Sequence, residues 1–345
     1  MFLKNCWYMS GWSPDFEADK ITPRRLIGID LIFYRKTNNE LIVMEDKCCH
    51  RMAPLSIGQQ EGDDIRCMYH GIKFGPDGQC TEIPTQKRIP KNVCVKTYPV
   101  VERHGSAWVW MGDPALADAD KIPNFIGPDT DDWAMLPDRK YMNINYQLMN
   151  DNLLDLSHVA YVHRNSFGQG DTEASSAFAK IPSKTTKYEN GVRVERWVTG
   201  QASPPYIKEI LNEPNLDYYT WYDFVAPGIF LLNTRIYPLG YIEKYGDDLI
   251  NQAHIFAEYS CQAVTPIDED NICYYFALGP WAKHAELQQM YLDLGHMAFG
   301  EDQVMLEKQY AVMKRNPDVE LMNLAADQSI VTFRSIMADL KTKEA

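Results

Sequence analysis

The residues of this chain best suited to chemistry fall in two short stretches. The first opens with Cys48 and His50 and, sixteen residues later, closes with Cys67 and His70. The order C-x-H followed by C-x-x-H supplies two thiolates and two imidazoles, the donor set of a [2Fe-2S] centre with both histidines on one iron. The same four donors also suit a structural zinc ion. Zinc fingers, however, usually keep both cysteines in one pair and both histidines in the other, whereas each pair here is mixed. Cys49 is a third thiol beside these ligands, and the one-residue gap of C-x-H selects Cys48 over it. An electron carrier is implied.

The second stretch runs Asn152-Leu153-Leu154-Asp155-Leu156-Ser157-His158-Val159-Ala160-Tyr161-Val162-His163. Two neutral imidazoles and a carboxylate on one face of a metal leave open positions opposite, which is how non-haem Fe(II) is held for oxygen activation. Asn152, Asp155 and His158 follow at steps of three and lie along a drifting helical stripe. His158 and His163 are five apart, about 140° on an ideal helix. A helix through this stretch is therefore expected to end or distort between Val159 and Val162 if both bind one metal. Taken alone, H-x4-H describes equally well two structural histidines with satisfied hydrogen bonds. An upstream one-electron relay shifts the balance, because its electrons need a destination.

The elements that position these stretches are legible in outline. Gly71 lets the backbone turn tightly after His70, and Gly75-Pro76-Asp77-Gly78 is a hairpin signal, so the ligand loops are expected at the tips of short antiparallel strands. Apolar or alternating runs such as Leu26–Tyr34 and Ala107–Met111 make residues 1–115 an all-β domain. Gly112-Asp113-Pro114 and the polar stretch after it mark the boundary. Residues 116–345 mix helical segments with strands, among them Gly191–Val198 and Gly228–Asn233, and are expected to form an α+β domain with an antiparallel sheet.

Composition narrows the class. A length of 345 residues with 45% hydrophobic content supports two sizeable cores. The N-terminus is too polar for a signal peptide, and no run reaches the roughly 18 apolar residues of a membrane helix. The six cysteines outside the cluster set show no disulfide-like spacing and are expected as reduced thiols in a cytoplasm. A net charge of −13 argues against nucleic acid and leaves acidic surface for a protein partner. No G-x-G-x-x-G precedes a helix, so a nicotinamide is not expected to bind this chain.

These motifs, in this order, resemble the oxygenase components of Rieske non-haem iron monooxygenases, nearest the vanillate and dicamba O-demethylase group. The resemblance runs from Asn5-Cys6-Trp7-Tyr8 through the two-part cysteine–histidine motif and Trp108–Pro114 to Asp151–Asp155, Glu301-Asp302 and Glu307. It implies an N-terminal all-β Rieske domain followed by an α+β catalytic domain. Its cluster ligands fall on Cys48, His50, Cys67 and His70, and its mononuclear iron ligands on His158, His163 and Asp302. Glu301 is the competing carboxylate, and the order of the family's E-D pair favours Asp302. Asn152 falls near the iron. Asp155 falls on a bridging carboxylate that joins the cluster histidine of one subunit, here His70, to the iron histidine of the next, here His158. A head-to-tail contact of that kind closes by rotation, and the resemblance implies a C3 homotrimer.

The activity so implied is monooxygenation of a small aromatic compound, with O2 as co-substrate. A separate flavin/iron–sulfur reductase would draw electrons from NAD(P)H. Hydroxylation of an aryl methyl ether gives a hemiacetal that collapses to a phenol and formaldehyde, and a methoxybenzoate of the vanillate type is the leading substrate. Hydroxylation of a methyl or ring carbon of another aromatic or an arylsulfonate is the alternative. An electron-transfer Rieske protein without oxygenase activity would need only the first domain. Asn233, Arg235, Gln262, Asp293 and Phe299 are the pocket candidates. Asn233 falls where the dicamba enzyme has a substrate-binding asparagine, whereas Gln262 and Asp293 depart from that enzyme's histidine and tryptophan. Arg235 is the candidate for holding a carboxylate.

Overall fold

The computed structural model of the chain describes residues 2–167 and 180–344. Two compact units emerge, Met1–Asn124 with Thr265–Glu269, and Phe125–Val264 with Asp270–Ala345. Among the described residues no helix is long and apolar enough to cross a membrane.

The first unit is all-β. Strands β1 (Trp7–Trp12), β9 (Val100–Arg103) and β10 (Ser106–Trp110) form one sheet, and β2 (Thr22–Leu26), β3 (Ile29–Arg35) and β4 (Leu41–Glu45) another. The apolar run Leu26–Tyr34 is a hairpin corner rather than one strand. Ile27 and Gly28 take φ of 47° and 83° and reverse the chain between β2 and β3. A third sheet of β5 (Gln59–Glu61), β6 (Asp64–Arg66), β7 (Lys73–Phe74) and β8 (Cys80–Glu82) carries the second cysteine–histidine loop between β6 and β7, and the first lies in the connection from β4 to β5. The Gly75–Gly78 turn joins β7 to β8 as expected, closed by Gly78 N–H donating to the Gly75 carbonyl at 2.8 Å. Gly78 is required there: φ is 76°, and a Cβ would lie 2.0 Å from the Val95 carbonyl oxygen.

The second unit is built on seven strands in the order β11-β17-β16-β15-β14-β13-β12. These are β11 (Leu136–Met142), β12 (Lys184–Lys187), β13 (Gly191–Gln201), β14 (Leu216–Val225), β15 (Ile229–Pro238), β16 (Phe256–Pro266) and β17 (Ile272–Pro280). Helices α1 (Tyr146–Leu154), α2 (Val159–Val162), α3 (Tyr241–Tyr245), α4 (Gln288–Arg315) and α5 (Gln328–Lys343) complete it. Helix α4 buries Tyr291, Leu294, Gly295, Ala298, Phe299, Asp302 and Leu306, an i, i+3, i+4, i+7 stripe. That stripe lies on the sheet: Phe299 meets Tyr274 and Phe276 of β17 with ring centroids 5.1 and 4.7 Å apart. A Cβ on Gly295 would come within 2.7 Å of Leu278, so glycine sets how closely α4 approaches β17. Helix α5 packs on the same face, with Phe333 edge-on to Phe224 at 4.7 Å.

Because strand side chains alternate, the register assigns every residue of this sheet to a face. Phe224 and Tyr222 of β14 share the helix-covered face with Phe230 of β15, which pairs with Gln262 of β16. Trp221, Asn233 and Tyr259, which also pair across these strands, lie on the opposite face.

Candidate metal centres

The two cysteine–histidine loops have the same backbone plan. In each, the cysteine N–H donates to the carbonyl five residues on (Cys48 to Ala53, Cys67 to Ile72), and the N–H four residues on returns to the cysteine carbonyl. The returning residue has positive φ in both loops, 58° at Met52 and 76° at Gly71. Arg66 braces the second loop, donating to the Gly71 carbonyl at 2.7 Å while its other nitrogens pair with Glu61 and Glu82. Cys48 and Cys67 are 1% and 2% exposed, whereas His50 and His70 stand at the surface with ring centroids 4.6 Å apart. Burial, together with the facing Cys67 sulfur, pushes the Cys48 thiol up to about 11. Two sulfurs inside and two imidazoles outside fit a [2Fe-2S] rhomb with its histidine-bound iron outermost. Cys49 is exposed.

The second set forms at a break in helical structure. Asn145 caps α1 by accepting from Gln147 N–H at 3.0 Å. The helix then stops at Asp155, which takes an extended conformation and restarts the chain as a tight turn, Leu156–His158, ahead of α2. Its carboxylate accepts from the Ser157 N–H at 2.9 Å and the Ser157 hydroxyl at 2.8 Å. The expected distortion between Val159 and Val162 therefore lies earlier, at Asp155, because an Asp side chain that captures a nearby N–H competes with helix continuation. The Asp155 side chain consequently does not meet His158. The Asp155 backbone carbonyl does, accepting from His158 Nδ1–H at 2.6 Å.

The break turns His158 and His163 toward Asp302 of α4. Asp302 Oδ1 lies 3.7 Å from His158 Nε2, and Oδ2 lies 3.3 Å from His163 Nε2. One donor atom from each of the three residues falls within 4.8 Å of the others. The far nitrogens are anchored, His158 by the Asp155 carbonyl and His163 Nδ1 by Glu301 Oε2 at 3.1 Å. Glu301 also accepts from the Ser166 hydroxyl at 2.6 Å. The two acidic neighbours thus divide the imidazole of His163 between them, Asp302 on the Nε2 side and Glu301 on the Nδ1 side. Asn152 Nδ2 donates to Asp302 Oδ1 at 3.1 Å, while its buried Oδ1 has no hydrogen-bond partner among the described residues. Burial lowers the His158 pKa, as a neutral, metal-binding imidazole requires; at His163 the Asp302 and Glu301 carboxylates outweigh burial and raise it. Two imidazoles and one carboxylate, each oriented from behind, fit a divalent iron with open positions.

The pocket candidates divide. Gln262 lies on the helix-covered face, where its Oε1 accepts from Tyr274 and its Nε2 donates to Ser260 at 2.7 Å. Phe299 precedes Asp302 by one turn and is packed into the same face. Asn233 and Arg235 do not belong there: strand parity puts both on the opposite face, with Trp221 and Tyr259. The Arg235 guanidinium instead lies over Trp133 and Trp221, 5.4 and 6.0 Å from their ring centroids. Asp293 is nine residues from Asp302, about 180° around an α-helix, and is exposed, accepting from Gln289 of its own helix at 2.9 Å. The sequence reading missed Ser166, since a lone serine after an H-x4-H motif carries no signal.

Residues 6–99 match the Rieske [2Fe-2S] domain, and residues 142–343 match the vanillate O-demethylase oxygenase C-terminal domain. The toluene-4-sulfonate monooxygenase system iron–sulfur subunit of Comamonas testosteroni is 34% identical over 351 residues, covering 100% of this chain and 98% of that one. The vanillate O-demethylase oxygenase subunit of Pseudomonas sp. strain HR199 is 30% identical over 350 residues, covering 98% and 94%. The crystal structure of dicamba monooxygenase bound to dicamba superposes with a TM-score of 0.84 at 25% identity, covering 99% of this chain and 98% of that one. A [2Fe-2S] domain joined to this C-terminal domain places the chain in the vanillate O-demethylase oxygenase family, the Rieske-type oxidoreductases that serve as oxygenase components of monooxygenase systems.

Proposed function

We propose that the chain oxidises the O-methyl carbon of a small aromatic acid of the methoxybenzoate class, yielding the phenol and formaldehyde. The observation that carries this reading is the His158–His163–Asp302 triad, His163 and Asp302 buried and His158 half-buried, its donor atoms within 4.8 Å of one another, downstream of a Rieske domain. Cys48, His50, Cys67 and His70 would hold the [2Fe-2S] cluster, and the triad a mononuclear iron. Bound there, iron supplies O2 activation, with electrons delivered singly through the cluster from a separate reductase. Each turnover consumes one O2, two electrons and two protons, forming the oxidised methyl carbon and one water.

The chain's own residues do the positioning. The Asp155 carbonyl and the Glu301 carboxylate fix the tautomers of His158 and His163, keeping each Nε2 free for metal. Asn152 holds Asp302 by one oxygen, which orients the other toward His163. Asp155, pinned by Ser157 rather than bonded to His158, keeps lone pairs for His70 of a neighbouring copy, so the bridge would run through its carboxylate to His70 and through its carbonyl to His158. A ring of three copies satisfies this head-to-tail pairing.

Support for the substrate class comes from what the relatives share. Vanillate, dicamba and toluene-4-sulfonate each join an aromatic ring, an acid group and a methyl or methoxy carbon. Hydroxylation of the methyl group of an arylsulfonate is the second reading, favoured by the full-length similarity to the Comamonas protein. The test is substrate-dependent O2 uptake by iron-loaded protein supplied with a flavin/iron–sulfur reductase and NADH, with formaldehyde assayed. Stoichiometric formaldehyde from methoxybenzoates supports the proposal. A reducible cluster with 4-(hydroxymethyl)benzenesulfonate formed from toluene-4-sulfonate, and no formaldehyde from any methoxybenzoate, replaces it with the second reading.

A further inference from the structure

Four residues on four consecutive strands line up across the helix-covered face of the large sheet. Arg196 of β13 pairs with Thr220 of β14, Thr220 with Thr234 of β15, and Thr234 with Glu258 of β16. Directly paired side chains project to the same side, and the Thr220 and Thr234 hydroxyl oxygens lie 3.4 Å apart. The row therefore has a guanidinium at one end, two hydroxyls in the middle and a carboxylate at the other end. Arg196 is 8% exposed and Thr220 8%. At the far end, Tyr291 donates to Glu258 Oε1 at 2.5 Å and Tyr206 to Oε2 at 3.3 Å. Both donors are tyrosines whose own hydroxyl oxygens remain acceptors, so this end favours a ligand that brings a hydrogen.

Neighbours of the row touch the metal-ligand segment at two places. Tyr222, next to Thr220 along the same face, donates its hydroxyl to the Leu154 carbonyl, immediately before Asp155. Tyr206 meets Phe167 at 6.3 Å between ring centroids, and Phe167 meets His163 edge-on at 5.7 Å. The segment Leu154–Phe167, which carries both histidines, is thus held beside the row by Tyr222, next to Thr220, and by Tyr206, at Glu258.

We propose that Arg196 and Glu258 are the specificity-determining pair of the substrate pocket: Arg196 takes the acid group of the substrate, and Glu258, with Tyr206 and Tyr291, takes a phenolic hydroxyl across the ring. This rests on the aromatic-acid reading above and narrows it to hydroxy-substituted aromatic acids. Three interstrand steps span roughly 14 Å. Two hydrogen bonds of about 2.9 Å at the ends leave roughly 8 Å, close to the carboxylate-to-hydroxyl span of a para-hydroxybenzoate. The two threonines would lie beneath the ring. A guanidinium suits a carboxylate in bidentate geometry. A sulfonate meets the same charge but offers nothing to Glu258.

The experiment is anaerobic calorimetric binding to the oxidised holoenzyme, which needs no turnover, with steady-state kinetics beside it. The probes are 4-hydroxy-3-methoxybenzoate, 3-methoxybenzoate, 2-methoxyphenol and toluene-4-sulfonate. The parent is expected to bind the first at least tenfold more tightly than either compound lacking one group. Arg196→Gln should weaken both benzoates ten- to a hundredfold and leave 2-methoxyphenol unchanged, with Arg196→Lys recovering part of the loss. Glu258→Gln should weaken the hydroxylated compounds and spare 3-methoxybenzoate. Intact cluster absorption and an unchanged thermal transition show that the variants fold. Equal affinity of variants and parent for all four probes, or an equal loss for all four, overturns the row. Parent protein that forms no formaldehyde yet shows these selective binding losses overturns demethylation and leaves the row standing.

Discussion

Replacing Glu301 by alanine tests whether the two adjacent carboxylates have different tasks. Glu301 Oε2 accepts from His163 Nδ1–H at 3.1 Å and from Ser166 at 2.6 Å, while Asp302 faces the Nε2 side of the same ring. The substitution leaves an imidazole N–H unpaired on a side chain only 4% exposed. An unsatisfied buried donor costs about 1–3 kcal/mol. Loss of a carboxylate that orients a metal-bound histidine lowers metal affinity about 10–100-fold, or roughly 1.4–2.8 kcal/mol. The two figures agree, so Glu301→Ala is expected to weaken binding by one to two orders of magnitude without abolishing it. Asp302→Ala, which removes a donor atom of the triad, should lose far more, and Ser166→Ala less than either. Anaerobic Fe(II) or Co(II) titration of protein stripped of mononuclear metal reads these affinities, with the [2Fe-2S] spectrum as the control for folding. Parent-like affinity in Glu301→Ala refutes the orienting role. Equal loss in Glu301→Ala and Asp302→Ala refutes the division of labour.

Three further outcomes are expected. Asp155→Asn retains an acceptor for Ser157 and should keep both centres loaded while slowing cluster-to-iron electron transfer in single-turnover assays on pre-reduced protein; rates equal to the parent's dispose of the bridge. Cys49→Ser should retain the cluster spectrum, since Cys49 is exposed, whereas Cys48→Ser should lose it; the reverse result would reassign the ligand. Glu102→Gln should destabilise the protein at neutral pH by about 1.5–3 kcal/mol, the range for hydrogen bonds to charged groups, because Arg35 holds that carboxylate with two bonds of 2.8 Å. The Arg35 hydrogen bond lowers the Glu102 pKa from 4.5, so its stabilisation is full above that value and is lost as pH falls through the depressed one. In urea unfolding followed by circular dichroism, a difference between variant and parent that does not narrow on acidification counts against the pairing.

What the sequence disclosed follows the distance over which each feature is decided. The two cysteine–histidine loops are local, each closed by hydrogen bonds within five residues, so ligand types and spacing were enough to recognise them. The H-x4-H pair was legible as donors but not as geometry. The stripe through Asn152, Asp155 and His158 presumed one helix, and the Asp155 side chain ended it by capturing Ser157. Asp302 is contributed by another helix, and only the resemblance set it apart from the other acidic residues. Of the pocket candidates, Gln262 and Phe299 lie on the helix-covered face, and the others depart from it for a more specific reason. In a strand, a shift of one position exchanges the two faces, so choosing Asn233 and Arg235 rather than Thr234 between them put two candidates on the far side of the sheet. In α4, Asp293 was out of phase by half a turn. Parity and phase depend on where each element begins, and the strand runs alone do not locate it. Once the β14–β15 and β15–β16 pairings are fixed, Thr220, Thr234 and Glu258 follow from the register by counting, and Arg196 from the β13–β14 pairing. The residues proposed to read the substrate were therefore visible as residues throughout; what had to be supplied by three-dimensional structure was the register that sets them side by side.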